Sequence, residues 1–218
     1  MERDSYTKDH TLSRKSEFKG YPIISDQITR DGLAVVWQEL DRVLRQNIGG
    51  DIVEFGCYAG TTSLFIRRLL DIHHVSQTRA FHVYDSFEGL PEKSVQDQNA
   101  AGVDFLPGKL YVSKKEFLHQ FHTASLQPPI THKAWFHDLT QHDVPEQLAF
   151  AFLDGDFYDS IMSSLQLVWP RMQAGSKVLV DDYERETLPG VAEAIRDFFH
   201  DRHVKNMRMQ ANIAIIDV

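Results

Sequence analysis

Only one cysteine, Cys57, occurs in 218 residues. An intrachain disulfide is therefore excluded, and the chain fits a reducing compartment such as the cytoplasm. No apolar run approaches the length of a membrane span, which argues against a membrane partner. The first twenty residues, MERDSYTKDHTLSRKSEFKG, are polar and carry no apolar signal core. Basic charge is in the minority. The 23 Lys and Arg stand against 31 Asp and Glu, a formal net charge of −8, which repels phosphate and argues against nucleic acid as a partner. The dinucleotide fingerprint GxGxxG is missing, and so is the HExxH run of a zinc hydrolase. The 11 histidines include none next to a cysteine pair, so they read as solvated surface residues. A length of 218 residues suffices for one good core. The expected organisation is a polar N-terminal arm over residues 1–28, a possible homodimer contact, and one domain over 29–218.

What is present centres on Asp51–Thr62, DIVEFGCYAGTT. Ile52, Val53 and Phe55 predict a buried strand. Gly56 and Gly60 allow a tight turn and a close backbone approach to a ligand. Thr61, Thr62 and Ser63 are candidate caps for a helix on which Phe65, Leu69 and Ile72 recur at helical spacing. Strand, glycine turn and helix start together predict a nucleotide-type pocket. Upstream, a helix is expected after Thr29 and Asp31, with Leu33, Val36, Leu40 and Val43 as its stripe and Gly49-Gly50 as its stop.

Downstream, Ala80–Tyr84 predicts a second strand ending at Asp85, and Glu92–Lys109 reads as a loop or lid containing Val103, Phe105 and Leu106. Ser113 with Glu116 has the spacing of a capping box for a helix bearing Phe117, His119 and Phe121. Trp135 and Phe136 are expected in a short strand. Leu148–Leu153 and Val178–Val180 are strong strands, each followed by acids, Asp154-Gly155-Asp156 and Asp181-Asp182. Helical stripes lie at Ile161, Leu165 and Val168, and at Val191, Ile195 and Phe198 after Pro189-Gly190. Two short strands, Val204–Met209 and Ile213–Ile216, close the chain as an antiparallel edge. Alternating strands and helices predict an α/β fold with a mostly parallel sheet.

Such sheets bind ligands at the carboxyl ends of their strands. Glu54, Gly56, Asp85, Asp154, Asp156, Asp181 and Asp182 all fall at predicted carboxyl ends. Asp85, about thirty residues past the glycine turn, is placed to accept both hydroxyls of a ribose; its alternative role is to cap the following turn. Clustered carboxylates repel unless neutralised, and a hard divalent cation with oxygen ligands does this. Asp154 and the Asp181-Asp182 pair are candidate ligands. Asp156, two residues on, is a candidate general base. Phe87, Trp135, Phe136, Phe157, Tyr158 and Tyr183 follow strand ends, where aromatic rings sandwich a base or pack the core.

DIVEFGCYAGTTSLFIRRLL, VYDSFEGLP and FLDGDFYDSIMSSLQLVWPRMQAGSKVLVDDYE together resemble the macrocin O-methyltransferase family. The resemblance implies a class I, Rossmann-like methyltransferase: a three-layer sandwich around a seven-strand sheet with an antiparallel last strand. It implies S-adenosylmethionine as methyl donor, magnesium or another divalent cation, and a hydroxylated small-molecule acceptor such as a sugar or another vicinal diol. Carried over, Glu54, Gly56, Cys57, Tyr58, Gly60, Thr61 and Thr62 hold the methionine part of the cofactor. Asp85 and Ser86 resemble the ribose contacts, and Ser113, Trp135 and Phe136 the adenine surround. Asp154, Asp181 and Asp182 resemble the metal ligands, with Asp154 also beside the cofactor, and Asp156 resembles the base. The family often has a bulky residue with Arg or Gly in the glycine turn, where this chain has Cys57-Tyr58-Ala59. The alternatives are a non-catalytic S-adenosylmethionine-binding pathway protein and a nicotinamide-dependent oxidoreductase.

Overall fold

The computed structural model describes Phe18 and residues 20–98, 105–202 and 204–218. Seven strands form one sheet in the order β3-β2-β1-β4-β5-β7-β6. In chain order they are β1 Asp51–Phe55, β2 Phe81–Asp85, β3 Ile130–Lys133, β4 Leu148–Leu153, β5 Met172–Val180, β6 Asn206–Gln210 and β7 Ile213–Asp217. The first five pair in parallel, and β7 runs antiparallel to both β5 and β6. This is the expected α/β class, with its reversed last hairpin.

Period-two alternation splits each central strand between two cores. In β1, Ile52 packs on one face and Val53 and Phe55 on the other. Leu33, Val36 and Leu40 of α1 (Arg30–Arg45), Phe65 and Leu69 of α2 (Thr61–Ile72), and Phe117 and Phe121 of α3 (Lys114–Thr123) cover the Ile52 face. Ile161 and Leu165 of α4 (Tyr158–Val168), with Val191 and Ile195 of α5 (Pro189–Phe199), cover the other. Leu33, Leu40 and Leu69 are fully buried, each worth about 1.5–3 kcal/mol against exposure.

The helix boundaries follow local chemistry. Thr29 caps α1, its hydroxyl accepting the Gly32 N–H at 3.0 Å. The helix stops at Arg45, ahead of the predicted Gly49-Gly50, because Asn47 already takes the left-handed conformation (φ 52°). Ser113 and Glu116 form the expected reciprocal capping box on α3. Helix α2 departs from expectation. Its cap is Gly60 (φ 93°), with no side-chain cap bond, and Thr61 is its first helical residue. Trp135 and Phe136 are not in a strand either. The edge strand β3 runs alongside β2, and the Ala134 N–H bonds to the Asp85 carbonyl where β2 ends. The chain then turns into a single 3-10 turn, Phe136–Asp138, with Trp135 as its cap.

Within the predicted arm, Phe18 is buried and packs on Trp37 and Phe65 at ring separations of 5.6 and 5.3 Å. The rest of the arm's first 17 residues and Val103 of the predicted lid lie outside the described residues. Among the described residues, three histidines depart from the surface reading: His73, on Asp41 at 2.8 Å, and His82 and His132, half-buried and hydrogen-bonded to each other at 3.0 Å, with His132 stacked on Tyr84. Among the described residues, no helix is long and apolar enough to cross a membrane.

Candidate active site

A cleft of about 440 Å³ opens at the carboxyl ends of β1, β2, β4 and β5, in the size range of small-molecule sites. Gly56, Cys57, Tyr58, Asp85, Ser86, Trp135, Phe136, Asp154, Asp156 and Asp182 of the predicted set line it. These residues lie up to 126 positions apart in the chain and are gathered by strand order alone.

The glycine turn shows why its residues are what they are. A Cβ on Gly56 (φ +86°) would sit 2.0 Å from the Asp154 carbonyl oxygen, so only glycine lets β1 end against β4. Gly60 has a different role. Its missing Cβ makes room for the Phe117 ring, 2.9 Å from where that Cβ would stand, and Gly60 does not line the cleft. The turn's backbone N–H groups are already engaged. Asp85 accepts from Cys57 N at 2.8 Å, from Tyr58 N at 3.4 Å and, on its other oxygen, from Phe87 N at 2.7 Å. Asp85 thus does cap its own turn, and it also braces the glycine turn. A carboxylate has about four lone-pair sites, so one remains for a ligand.

Glu54 is 1% exposed and lies beneath the turn, accepting the Ser63 hydroxyl. Burial pushes its carboxyl up to about 8, against the lowering effect of the Ser63 bond. Thr61 and Thr62 are buried at the start of α2, with the Thr61 hydroxyl on Ser25 at 2.7 Å. Glu54, Thr61 and Thr62 do not line the cleft, and neither does Ser113, which is occupied in its capping box. Burial and the neighbouring Asp85 carboxylate push the Cys57 thiol well up, so it is a packing group rather than a nucleophile.

On the other side of the cleft, oxygens of Asp154, Asp156 and Asp182 converge within 4.8 Å of one another. Asp181 is outside that set. It lies 7% exposed behind the cleft, and its carboxyl accepts the Asp182 N–H. Asp156 and Asp182 both adopt left-handed backbone conformations, φ 61° and 56°. For residues other than glycine this costs on the order of 1–3 kcal/mol each, a strain typical of functional sites. Burial raises all four acids, and repulsion from neighbouring carboxylates adds to it for Asp154, Asp156 and Asp181. Asp156 reaches about 7, Asp181 about 8, Asp154 rises well above the usual range, and Asp182 also rises. Asp182 is partly offset by Arg185, whose Nη1 donates to both its oxygens at 3.2 and 3.1 Å, and by Asn212 Nδ2 at 3.0 Å.

Several lining residues escaped the sequence reading. Leu90 precedes and Glu92 begins the segment predicted as a loop or lid, whose base is closed by Leu90 N to Lys109 O and Gly108 N to Leu90 O at 2.8 and 2.9 Å. Arg185 carried a signal, since a basic residue three positions after an acid on a turn can fold back onto it. Gln27 and Ser163 carried none.

Comparison with known proteins follows the same lines. A curated 8-demethyl-8-(2,3-dimethoxy-alpha-L-rhamnosyl)-tetracenomycin-C 4'-O-methyltransferase of Streptomyces olivaceus is 32% identical over 74% of this chain and 61% of its own length. A demethyldecarbamoylnovobiocin O-methyltransferase of Streptomyces niveus is 31% identical over 67% of this chain and 57% of its own length. The chain thus spans about three fifths of the length of these curated relatives. The solved structure of the O-methyltransferase NovP shares the fold, with a TM-score of 0.72 at 24% identity over 87% of this chain and 81% of that one. The model of the macrocin O-methyltransferase (TylF) family matches residues 10–217, and the chain belongs to that family.

Proposed function

We propose that this chain is an S-adenosylmethionine-dependent O-methyltransferase. It acts on a hydroxyl of a sugar-bearing or otherwise hydroxylated small molecule, with help from a divalent cation. Family membership supports methyl transfer, and the relatives' names point to natural-product acceptors. The observation that carries the choice of cofactor is the chemistry of the cleft. Asp85, Glu92, Asp154, Asp156, Asp159 and Asp182 line it, and two N–H groups of the glycine turn, those of Cys57 and Tyr58, are held by Asp85. Such a cleft favours a ligand bearing positive charge and disfavours a pyrophosphate. This speaks against the nicotinamide reading. Tyr111 and Lys115, a tyrosine and lysine four residues apart, are both outside the cleft.

S-adenosylmethionine supplies a methyl group on a sulfonium, released to an oxygen lying in line with it. The protein's work is positioning, with reacting atoms held about 3–3.5 Å apart. Asp85 and Ser86 take the ribose. Phe136, braced edge-on against buried Phe55 at 5.2 Å, and Trp135 flank the adenine. The donor set around Asp154 and Asp182 consists of carboxylate oxygens, which suits a hard cation. Their raised proton affinities mark a site short of positive charge. A cation there favours ionisation of a hydroxyl beside it. Asp156, on the cleft wall and raised to about 7, is suited to take that proton near neutral pH. Its convergence with Asp154 and Asp182 also supports a second reading, in which Asp156 is itself a ligand. The single cysteine supports a cytoplasmic location.

The test is calorimetric titration of S-adenosylhomocysteine, then of NAD, into the purified full chain. Saturable binding of the first near one per chain, with no heat from NAD, is the expected result. Preference for NAD would overturn the proposal.

A further inference from the structure

The carboxylate cluster contains its own cation. Arg185 Nη1 lies 3.2 and 3.1 Å from the two oxygens of Asp182, one of the three acids that converge in the cleft. The guanidinium lines the same cleft, and its side chain is 40% exposed against 11% for Asp182. The nearest neutral donor to that carboxylate is Asn212, whose Nδ2 reaches Oδ1 at 3.0 Å from the turn between β6 and β7. Asn212 is fixed in turn: its carbonyl accepts Tyr183 N at 2.9 Å and its Oδ1 accepts Glu184 N at 2.8 Å.

The two partners of Asp182 differ in kind. A neutral amide can stay on a carboxylate while that carboxylate binds a metal, and such outer contacts orient the ligand. A guanidinium cannot stay without cost. It engages both oxygens, and its charge repels a second cation placed on them. Arg185 has another seat. Its guanidinium carbon stands 5.8 Å from the centre of the Phe105 ring, where the lid returns, a separation at which an aromatic face attracts a cation.

We propose that Arg185 is a resident counter-ion that competes with the divalent cation for Asp182 and sets the enzyme's cation affinity. In the cation-free protein it holds Asp182; on uptake of the ion it leaves Asp182 and keeps its place against Phe105. This rests on the cation reading given under Proposed function.

Mn2+ alone, titrated at fixed pH and salt with free ion followed by electron paramagnetic resonance, separates the two ideas. The full chain is compared with Arg185→Met, Arg185→Lys and Asn212→Gly, the last chosen because position 212 has φ 67° and glycine accepts that backbone. Thermal melts establish that each variant folds. Arg185→Met is expected to bind Mn2+ about two- to fivefold more tightly, the range a partly exposed charge pair is worth. Arg185→Lys keeps the charge and stays near the parent affinity. Asn212→Gly loses an orienting contact and weakens binding about tenfold or more. Equal or weaker binding by Arg185→Met, with the parent chain still binding, makes Arg185 an orienting residue and overturns the inference alone. No Mn2+ binding by either the parent or Arg185→Met overturns the cation reading and the inference together.

Discussion

The two halves of the cleft handle buried negative charge in opposite ways. On the glycine-turn side, the acid that lines the cleft is matched locally: Asp85 takes three backbone N–H groups. Glu54, beneath the turn and outside the cleft, has the Ser63 hydroxyl and is still raised by burial. On the β4–β5 side, four acids crowd together, with Arg185, Asn212 and one backbone N–H to offset them. Two of these acids also sit in strained left-handed conformations. In the first half the Asp85 carboxylate is bonded within the fold, while the second half is short of positive charge. This difference is why we place cofactor recognition in the first half and acceptor activation in the second.

Breaking the second half should cost most. Asp156→Asn keeps the size and removes the base, so turnover of an acceptor that supports the parent enzyme should fall on the order of 100- to 10,000-fold. With a cation bound beside it the Asp156 carboxyl should ionise below the value of about 7 it has without one, so the parent rate should rise with pH in the range below 7 and then level off. Mn2+ titration of the same variant sharpens the assignment. Unchanged cation affinity leaves Asp156 as the base; a large loss makes it a ligand. Breaking the first half should act on stability and cofactor together. Gly56→Ala forces a Cβ to within 2.0 Å of the Asp154 carbonyl and a side chain into φ +86°. We expect a loss of about 3 kcal/mol in denaturant unfolding and weakened S-adenosylhomocysteine binding. A Gly56→Ala protein of parental stability and affinity would erase the argument for a close β1–β4 approach.

How far the sequence carried this reading follows the same divide. Strand identity, helix stripes and sheet-edge acids were legible because period and turn chemistry are local. The glycine turn was legible for that reason, yet its helix cap was misassigned. Thr61 and Thr62 have the right chemistry, but Gly60 turned left-handed against Phe117, a contact 57 residues away. Trp135 and Phe136 were placed in a strand because their apolar character matches one; the end of β2 at Asp85 decided otherwise. In the acidic half, spacing brought Asp154 and Asp182 to neighbouring strand ends but carried no information on side-chain direction. So Asp156, three residues past its strand, converges with them, while Asp181, adjacent in sequence, turns to the Asp182 N–H. The part played by Asn212 depends on the β6–β7 turn reaching over β5 and was invisible in a linear reading.

The smallest expected effect tests the contrast without changing a residue. Asp156, Asp181 and Glu54 have folded-state values of about 7, 8 and 8, against ordinary values of 3.8, 3.8 and 4.5. Between about pH 4 and 8 these acids therefore hold more protons in the folded chain than in the unfolded one, and their contribution to stability falls as pH rises. The contribution from these acids is fully present below their ordinary values and is lost as pH passes through 7 to 8. Most small proteins lack this trend in that range, because paired carboxylates are usually lowered. In cation-free buffer the melting temperature should drop from about pH 5.5 to 8.5. Mg2+ at pH 8.5 should recover part of the loss, since it binds the ionised acids of the folded state only. The comparison also predicts which part recovers. Glu54 lies beneath the glycine turn, outside the cleft, so its share of the loss should persist at saturating Mg2+. A flat melting profile without cation would mean that these acids are neutralised within the fold.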